Sequence, residues 1–141
     1  MMRPTRALLV VAVLCCLRPL AAEELHWRTD ANKAWATARE EKRPLLLYFT
    51  SSGCHWCNEM RTKTFGDPEV AQQVSKSFIA VSVNAESEED QRLAETLGIT
   101  AYPAVVVISP DKKILGRING YVPPSTFRGR LAELVPKTLQ R

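Results

Sequence analysis

The chain is short of the residues that several function classes require. It has two histidines, and only two of its four cysteines, Cys54 and Cys57, lie beyond residue 22. A structural zinc site takes about four ligands. His26, Cys54, His55 and Cys57 are the best set available, but His55 sits inside the cysteine pair and points elsewhere on a helix, and no second Cys-x-x-Cys exists, so no metal site is expected. No G-x-x-x-x-G-K phosphate loop, G-x-G-x-x-G fingerprint or G-x-S-x-G elbow occurs. Acids are scattered along helix faces, which gives paired-carboxylate catalysis no support. The longest apolar run, Ala7 to Leu17, has eleven residues, where a membrane-spanning helix needs about 20. The formal charge is +4, but three of the 19 basic residues, Arg3, Arg6 and Arg18, stand in the first 22 positions, where there is no acid. The remainder is nearly neutral, so no nucleic-acid partner is expected.

Residues 1–22 read as a secretory signal peptide, and 23–141 as the mature domain. Arg3 and Arg6 give a positive start, Ala7 to Leu17 the apolar stretch, and Ala21-Ala22 small residues for cleavage. A retained anchor and a lipoprotein are the alternatives. Neither Cys15 nor Cys16 has the small preceding residue of a lipid-bearing cysteine. Export to an oxidising compartment, the periplasm, leaves Cys54 and Cys57 where a disulfide can persist. Two cysteines three apart close a tiny loop and stabilise a fold little, so chemistry is the better reason for them.

The rest reads as one α/β domain. Asp30 to Lys42 is helical, with Ala31, Ala34, Trp35 and Ala38 on one face. Leu45 to Thr50 is an apolar run fit for a strand buried on both faces. Ser51-Ser52-Gly53 turns the chain into a helix whose first residue is Cys54 and which runs through Met60 towards Phe65. Asp67-Pro68 starts a further helix. Phe78 to Asn84 is a strand, Ser87 caps a helix with an acidic first turn, and Gly98 ends it. Ala104 to Ser109 and Ile114 to Asn119 form a hairpin, and Pro123-Pro124-Ser125 leads into a last helix carrying Phe127, Leu131 and Leu134. The order is α-β-α-α-β-α-β-β-α, with four strands of which the last two form a hairpin.

Chemistry concentrates in Cys54-His55-Trp56-Cys57. A cysteine at a helix start meets free N–H groups and the positive end of the helix dipole. Both favour a thiolate, the nucleophile of disulfide exchange. Cys54 is therefore the expected attacking residue. Cys57, nearly a turn deeper, is the expected resolving residue, the two exchanging between dithiol and disulfide. A protonated His55 would stabilise the thiolate further; the structural alternative is a solvated helix-start histidine. Trp56 offers an apolar surface for a partner, or else packs in the core. Tyr102-Pro103, just before a strand, suits a tight turn that could abut the cysteines and pair with an extended substrate; an ordinary strand-entry proline is the alternative reading.

From about Leu25 onward the sequence resembles the thioredoxin superfamily. It is most similar to exported thioredoxin-like domains related to the C-terminal domain of the thiol:disulfide interchange protein of the bacterial inner membrane. The residues that carry this are KRPLLLYFTSSGCHWCNEM, TFGDPEV and LAETLGITAYPAVVVISPDKKILGRINGY. The CHWC also resembles a family of larger thioredoxin-like proteins. The resemblance implies a thioredoxin-like α/β fold with a central mixed four-stranded sheet flanked by helices, Cys54 as nucleophile, Cys57 as resolving cysteine and Pro103 as a cis-proline facing them. There are two departures. Relatives often carry an acid six residues before the first cysteine, where this chain has Tyr48, a poor base at neutral pH. Many have Trp just before that cysteine, where this chain has Gly53. Glu59 as replacement base lies about 200° round the helix from Cys57, whereas Arg61 shares its face.

The expected function is that of an exported protein thiol–disulfide oxidoreductase, reductase or isomerase in type. It needs no cofactor. Its expected partners are protein substrates with disulfides or thiols and a membrane electron-donor protein. It is expected to act as a monomer, since no dimerisation domain is evident. A redox-inactive binding module of the same fold and a Cu(I) metallochaperone are the alternatives.

Overall fold

The computed structural model describes residues 24–135. The expected signal peptide, residues 1–22 with Cys15 and Cys16, lies outside the described residues. The elements run α1 (Ala31–Glu41), β1 (Leu45–Thr50), α2 (His55–Glu59), a π-helical turn (Met60–Thr64), α3 (Pro68–Ser77), β2 (Ile79–Asn84), α4 (Glu88–Thr96), β3 (Ala104–Ile108), β4 (Ile114–Asn119) and α5 (Pro124–Leu134). The helix starts follow their caps: the Asp30, Asp67 and Ser87 side chains accept backbone N–H groups at the heads of α1, α3 and α4, each satisfying donors that a helix leaves free.

The four strands lie in the order β2-β1-β3-β4. β1 pairs parallel with β2 and antiparallel with β3, and β3 pairs antiparallel with β4. β1 is thus central, which is why LLLYF is apolar without alternation. Its even positions, Leu46 and Tyr48, pack with Val105, Ile118, Met60, Phe65, Val74 and Phe127 on one face. Its odd positions, Leu45, Leu47 and Phe49, pack with Val81, Val106, Ala34, Ala38 and Ala94 on the other. The result is a sheet between two helical layers, with α2, the π turn, α3 and α5 on the Tyr48 side and α1 and α4 opposite. The architecture is the thioredoxin-like α/β fold that the resemblance implies, with the order of elements as expected.

One expected helix differs in kind. The segment after the cysteines was expected to run as one helix from Cys54 towards Phe65. Instead α2 lasts five residues and passes into a π turn, closed by the Phe65 N–H donating to the Met60 carbonyl at 2.9 Å. The widened turn lets Met60 and Thr64 both reach the interior. The Thr64 hydroxyl donates to the Val122 carbonyl at 2.5 Å there, tying the turn to the segment entering α5. Gly66 follows because a Cβ at that position would stand 2.2 Å from the Thr62 carbonyl oxygen.

Candidate active site

β1 delivers the chain to the end of the sheet, and Ser51 to Gly53 turn it. Gly53 has φ +65°, a conformation glycine adopts at no steric cost. That conformation accounts for glycine at this position. The Ser52 N–H donates to Glu86 at 3.2 Å, anchoring the turn to the loop before α4.

Cys54 is the N-cap of α2, one position before its expected place as the first helical residue. Its backbone is extended (φ −81°, ψ 106°) and its Sγ accepts the Cys57 N–H at 3.1 Å. The reason is that of any N-cap: an extended residue can turn its side chain back onto the free amides of the first turn. The sulfur therefore receives an N–H directly, and such a bond favours the ionised form of the group that accepts it. Cys54 and Cys57 are joined as a disulfide with their Cα atoms 5.2 Å apart. Cys54 is half-buried, whereas Cys57 is only 3% exposed. The outer sulfur is open to a partner and the inner one is shielded.

Below the pair lies a cluster of rings. Tyr48 stands 5.5 Å from Trp27 and 4.9 Å from Phe65, and Phe65 in turn 4.8 Å from Trp27 and 5.2 Å from Phe127, centroid to centroid. The Tyr48 hydroxyl donates to the Cys57 carbonyl at 2.8 Å, and burial pushes its phenol above the ordinary tyrosine range. Sequence reasoning found Tyr48 only as an absent acid and missed its contact with the resolving cysteine's backbone. The signal was present: a tyrosine in a strand buried on both faces must find a partner for its hydroxyl.

A polar cleft of about 390 Å³ opens beside the disulfide, with Thr50, Cys54, His55, Cys57, Asn58 and Arg61 among its walls. The Arg61 guanidinium donates to the Asn58 side chain at 2.6 Å. Glu59 is paired with Lys63, which holds its carboxyl below the ordinary glutamate range. Trp56 is 55% exposed and so is not a core residue. Its ring lies 5.6 Å from Tyr121, a residue the sequence did not single out, and 5.1 Å from His55. Tyr102 and Pro103 do not wall the cleft. Tyr102 is half-buried against the α1–α4 layer, while Pro103 is buried. The Tyr102–Pro103 peptide is cis, and the Pro103 carbonyl accepts the Gly120 N–H at 2.9 Å. Because Ala104 pairs with Phe49, Pro103 lies at the sheet end from which Thr50 leads to the cysteines. No cluster of metal-ligating side chains occurs among the described residues.

A bonded cysteine pair three apart, its first sulfur capping a helix fed by the central strand, defines a thiol–disulfide oxidoreductase of the thioredoxin type. The comparisons agree: the chain belongs to the thioredoxin-like domain family, which it matches over residues 31–134. It is 29% identical over 112 residues to the disulfide bond reductase DsbH of Chlamydia pneumoniae, covering 72% of this chain and 67% of that protein. Among solved structures it resembles a thioredoxin from Thermus thermophilus (TM-score 0.73, 28% identity, 79% of this chain and 87% of that one). It also resembles the C-terminal domain of Neisseria meningitidis DsbD in its oxidised form (TM-score 0.66, 25% identity, 78% and 100%). The chain spans only 9% to 27% of the length of the first curated relatives it matches, among them the thiol:disulfide interchange protein DsbD of Salmonella typhimurium.

Proposed function

We propose that the chain is an exported disulfide reductase or isomerase acting on protein substrates, with Cys54 as nucleophile and Cys57 as resolving cysteine. The observation that carries this is the pairing of a half-exposed Cys54 sulfur, held by the Cys57 N–H, with a buried Cys57 already bonded to it. In the reduced protein the Cys54 thiolate attacks a substrate disulfide. One substrate sulfur leaves as a thiolate and takes up a proton, and a mixed disulfide forms. Cys57 loses its proton and attacks Cys54 Sγ. The Cys54–Cys57 bond forms, the bond to the substrate breaks, and the second substrate sulfur leaves. Two electrons have passed from the dithiol to the substrate. His55, exposed beside Cys54, adds positive charge when protonated, and the Trp56–Tyr121 pair offers an apolar seat next to the sulfur. The segment that leads into Pro103, exposed at Thr100 and Ala101, is a second edge for an extended substrate.

The likeness to a protein named disulfide bond reductase supports the reductive direction. The likeness to DsbD supports a membrane donor that returns electrons to the pair. The basic–apolar start of the sequence supports export and a periplasmic site. No helix among the described residues is long and apolar enough to cross a membrane.

The test is a redox titration of the Cys54–Cys57 couple against glutathione, joined to Cys57→Ala trapping of mixed disulfides in cells. The expected result is a reversible two-electron couple nearer the thioredoxin value of about −270 mV than the DsbA value of about −120 mV, with exported proteins trapped on Cys54. A potential near −120 mV overturns the reductive direction, and no reversible couple overturns the redox reading.

A further inference from the structure

Tyr48 is buried, its ring fixed by Trp27 and Phe65, and its hydroxyl is committed to the Cys57 carbonyl at 2.8 Å. That carbonyl sits where α2 gives way to the π turn, with the Met60 N–H shared between the Cys57 and Trp56 carbonyls. The backbone that carries Cys57 Sγ is therefore held by a side chain from the central strand, not by a regular helical ladder alone.

Among the described residues no carboxylate stands in hydrogen-bond contact with Cys57 to take its proton. On its own helical segment Glu59 is paired with Lys63, His55 is exposed, and Arg61 is bound to Asn58. From β1 the group that faces it is Tyr48, and the loop after β4 brings Tyr121 to Trp56 and Lys63. Burial keeps the Tyr48 phenol protonated at neutral pH, and its proton is spent on the carbonyl.

We propose that Tyr48 is the positioning residue of the resolving step: its hydroxyl aims Cys57 at the mixed disulfide, and Cys57 gives its proton to solvent or to the departing thiolate rather than to a buried base. This rests on the reading of Cys54 as attacker and Cys57 as resolver. The bonds and electrons are those of the second half-reaction above. Tyr48 neither gains nor loses a proton in it.

The experiment is two-phase release of thionitrobenzoate from Ellman's reagent by the reduced protein. The first equivalent reports attack by Cys54 and depends on reagent concentration. The second reports resolution by Cys57 and does not. Tyr48→Phe keeps the ring and removes the hydroxyl. The expected result is a second phase slowed about threefold to tenfold, the range that loss of one buried hydrogen bond spans. The first phase is unchanged, and the second-phase pH midpoint is the same in both proteins. An unchanged second phase overturns the proposal. Equal slowing of both phases assigns the hydroxyl to the fold alone and overturns it too. A shifted pH midpoint makes Tyr48 a proton acceptor, which also overturns it. If the wild-type protein shows no second phase, it is the redox reading itself that fails.

Discussion

Reducing the Cys54–Cys57 bond is expected to change folding stability by no more than about 2 kcal/mol in either direction. The cysteines are three apart, so the bond closes a ring of only four residues. The chain-entropy relation gives about 6 cal/mol/K for such a ring, or about 1.9 kcal/mol at 25 °C in favour of the oxidised protein. The reduced protein has an opposing term. When Cys54 is ionised its sulfur still accepts the Cys57 N–H that it accepts at 3.1 Å in the disulfide, and bonds to charged groups contribute roughly 1.5–3 kcal/mol. The two nearly cancel. By the thermodynamic cycle, a more stable oxidised form makes the folded couple more reducing than the same pair in an unfolded chain, and a more stable reduced form makes it more oxidising. A 2 kcal/mol difference corresponds to about 40 mV. Urea unfolding with and without reductant, compared by midpoint at constant slope, measures the difference. An oxidised form more stable by 4 kcal/mol or more would refute the reasoning, because the bond would then be a structural staple.

Three further outcomes follow from the packing and charge around the site. Phe65→Ala, at a ring 4% exposed with three aromatic neighbours, is expected to cost about 3–5 kcal/mol in urea unfolding, and a loss under 1 kcal/mol would show that the ring cluster does not anchor the π turn. Trp56→Ala is expected to leave stability within about 0.5 kcal/mol, as exposed positions do, while raising KM for a protein disulfide severalfold and sparing the reaction with Ellman's reagent; an unchanged KM removes Trp56 from substrate binding. The Lys63 ammonium holds the Glu59 carboxyl low, so the ionised pair's contribution is present above about pH 4.3, the ordinary glutamate value, and is lost as pH falls through the lowered folded value. NMR titration should find Glu59 ionising at lower pH than a free glutamate and returning to the ordinary range in Lys63→Met, and no change on that substitution would exclude the pairing.

The sheet and its helices were legible because each rests on local signals that agree with the fold. LLLYF reads as a central strand because both its faces are covered, and Asp30, Asp67 and Ser87 mark helix starts because free N–H groups need acceptors. The cysteine pair was legible for the same reason: strand, turn and helix are consecutive in sequence, so their spacing fixes the site. What escaped came from contacts between distant segments. Tyr121 reaches Trp56 across 65 positions, and Thr64 reaches Val122 across 58. No periodicity records such pairs. The π turn escaped because a widened turn keeps the apolar spacing of an α-helix for one further step, and only the carbonyl that Phe65 chooses distinguishes them.

Tyr48 joins two functions that a carboxylate at the same position would separate. Its ring belongs to the aromatic cluster beneath the site, and each such ring pair contributes about 0.5–1.5 kcal/mol beyond its buried area. Its hydroxyl closes the hydrogen bond that the Cys57 carbonyl takes at the change from α2 to the π turn. An acid placed there would lack the ring contacts with Trp27 and Phe65 and would bring a charge into an apolar layer, where an unpaired carboxylate is driven towards its neutral form. A protein that builds this layer from aromatic rings therefore takes strength of packing under its redox pair and accepts a resolving thiol that must find its proton acceptor outside. Stability and the placing of Cys57 here depend on one side chain, so substitutions at Tyr48 are expected to move folding and the resolving step together, apart from Phe, which separates hydroxyl from ring.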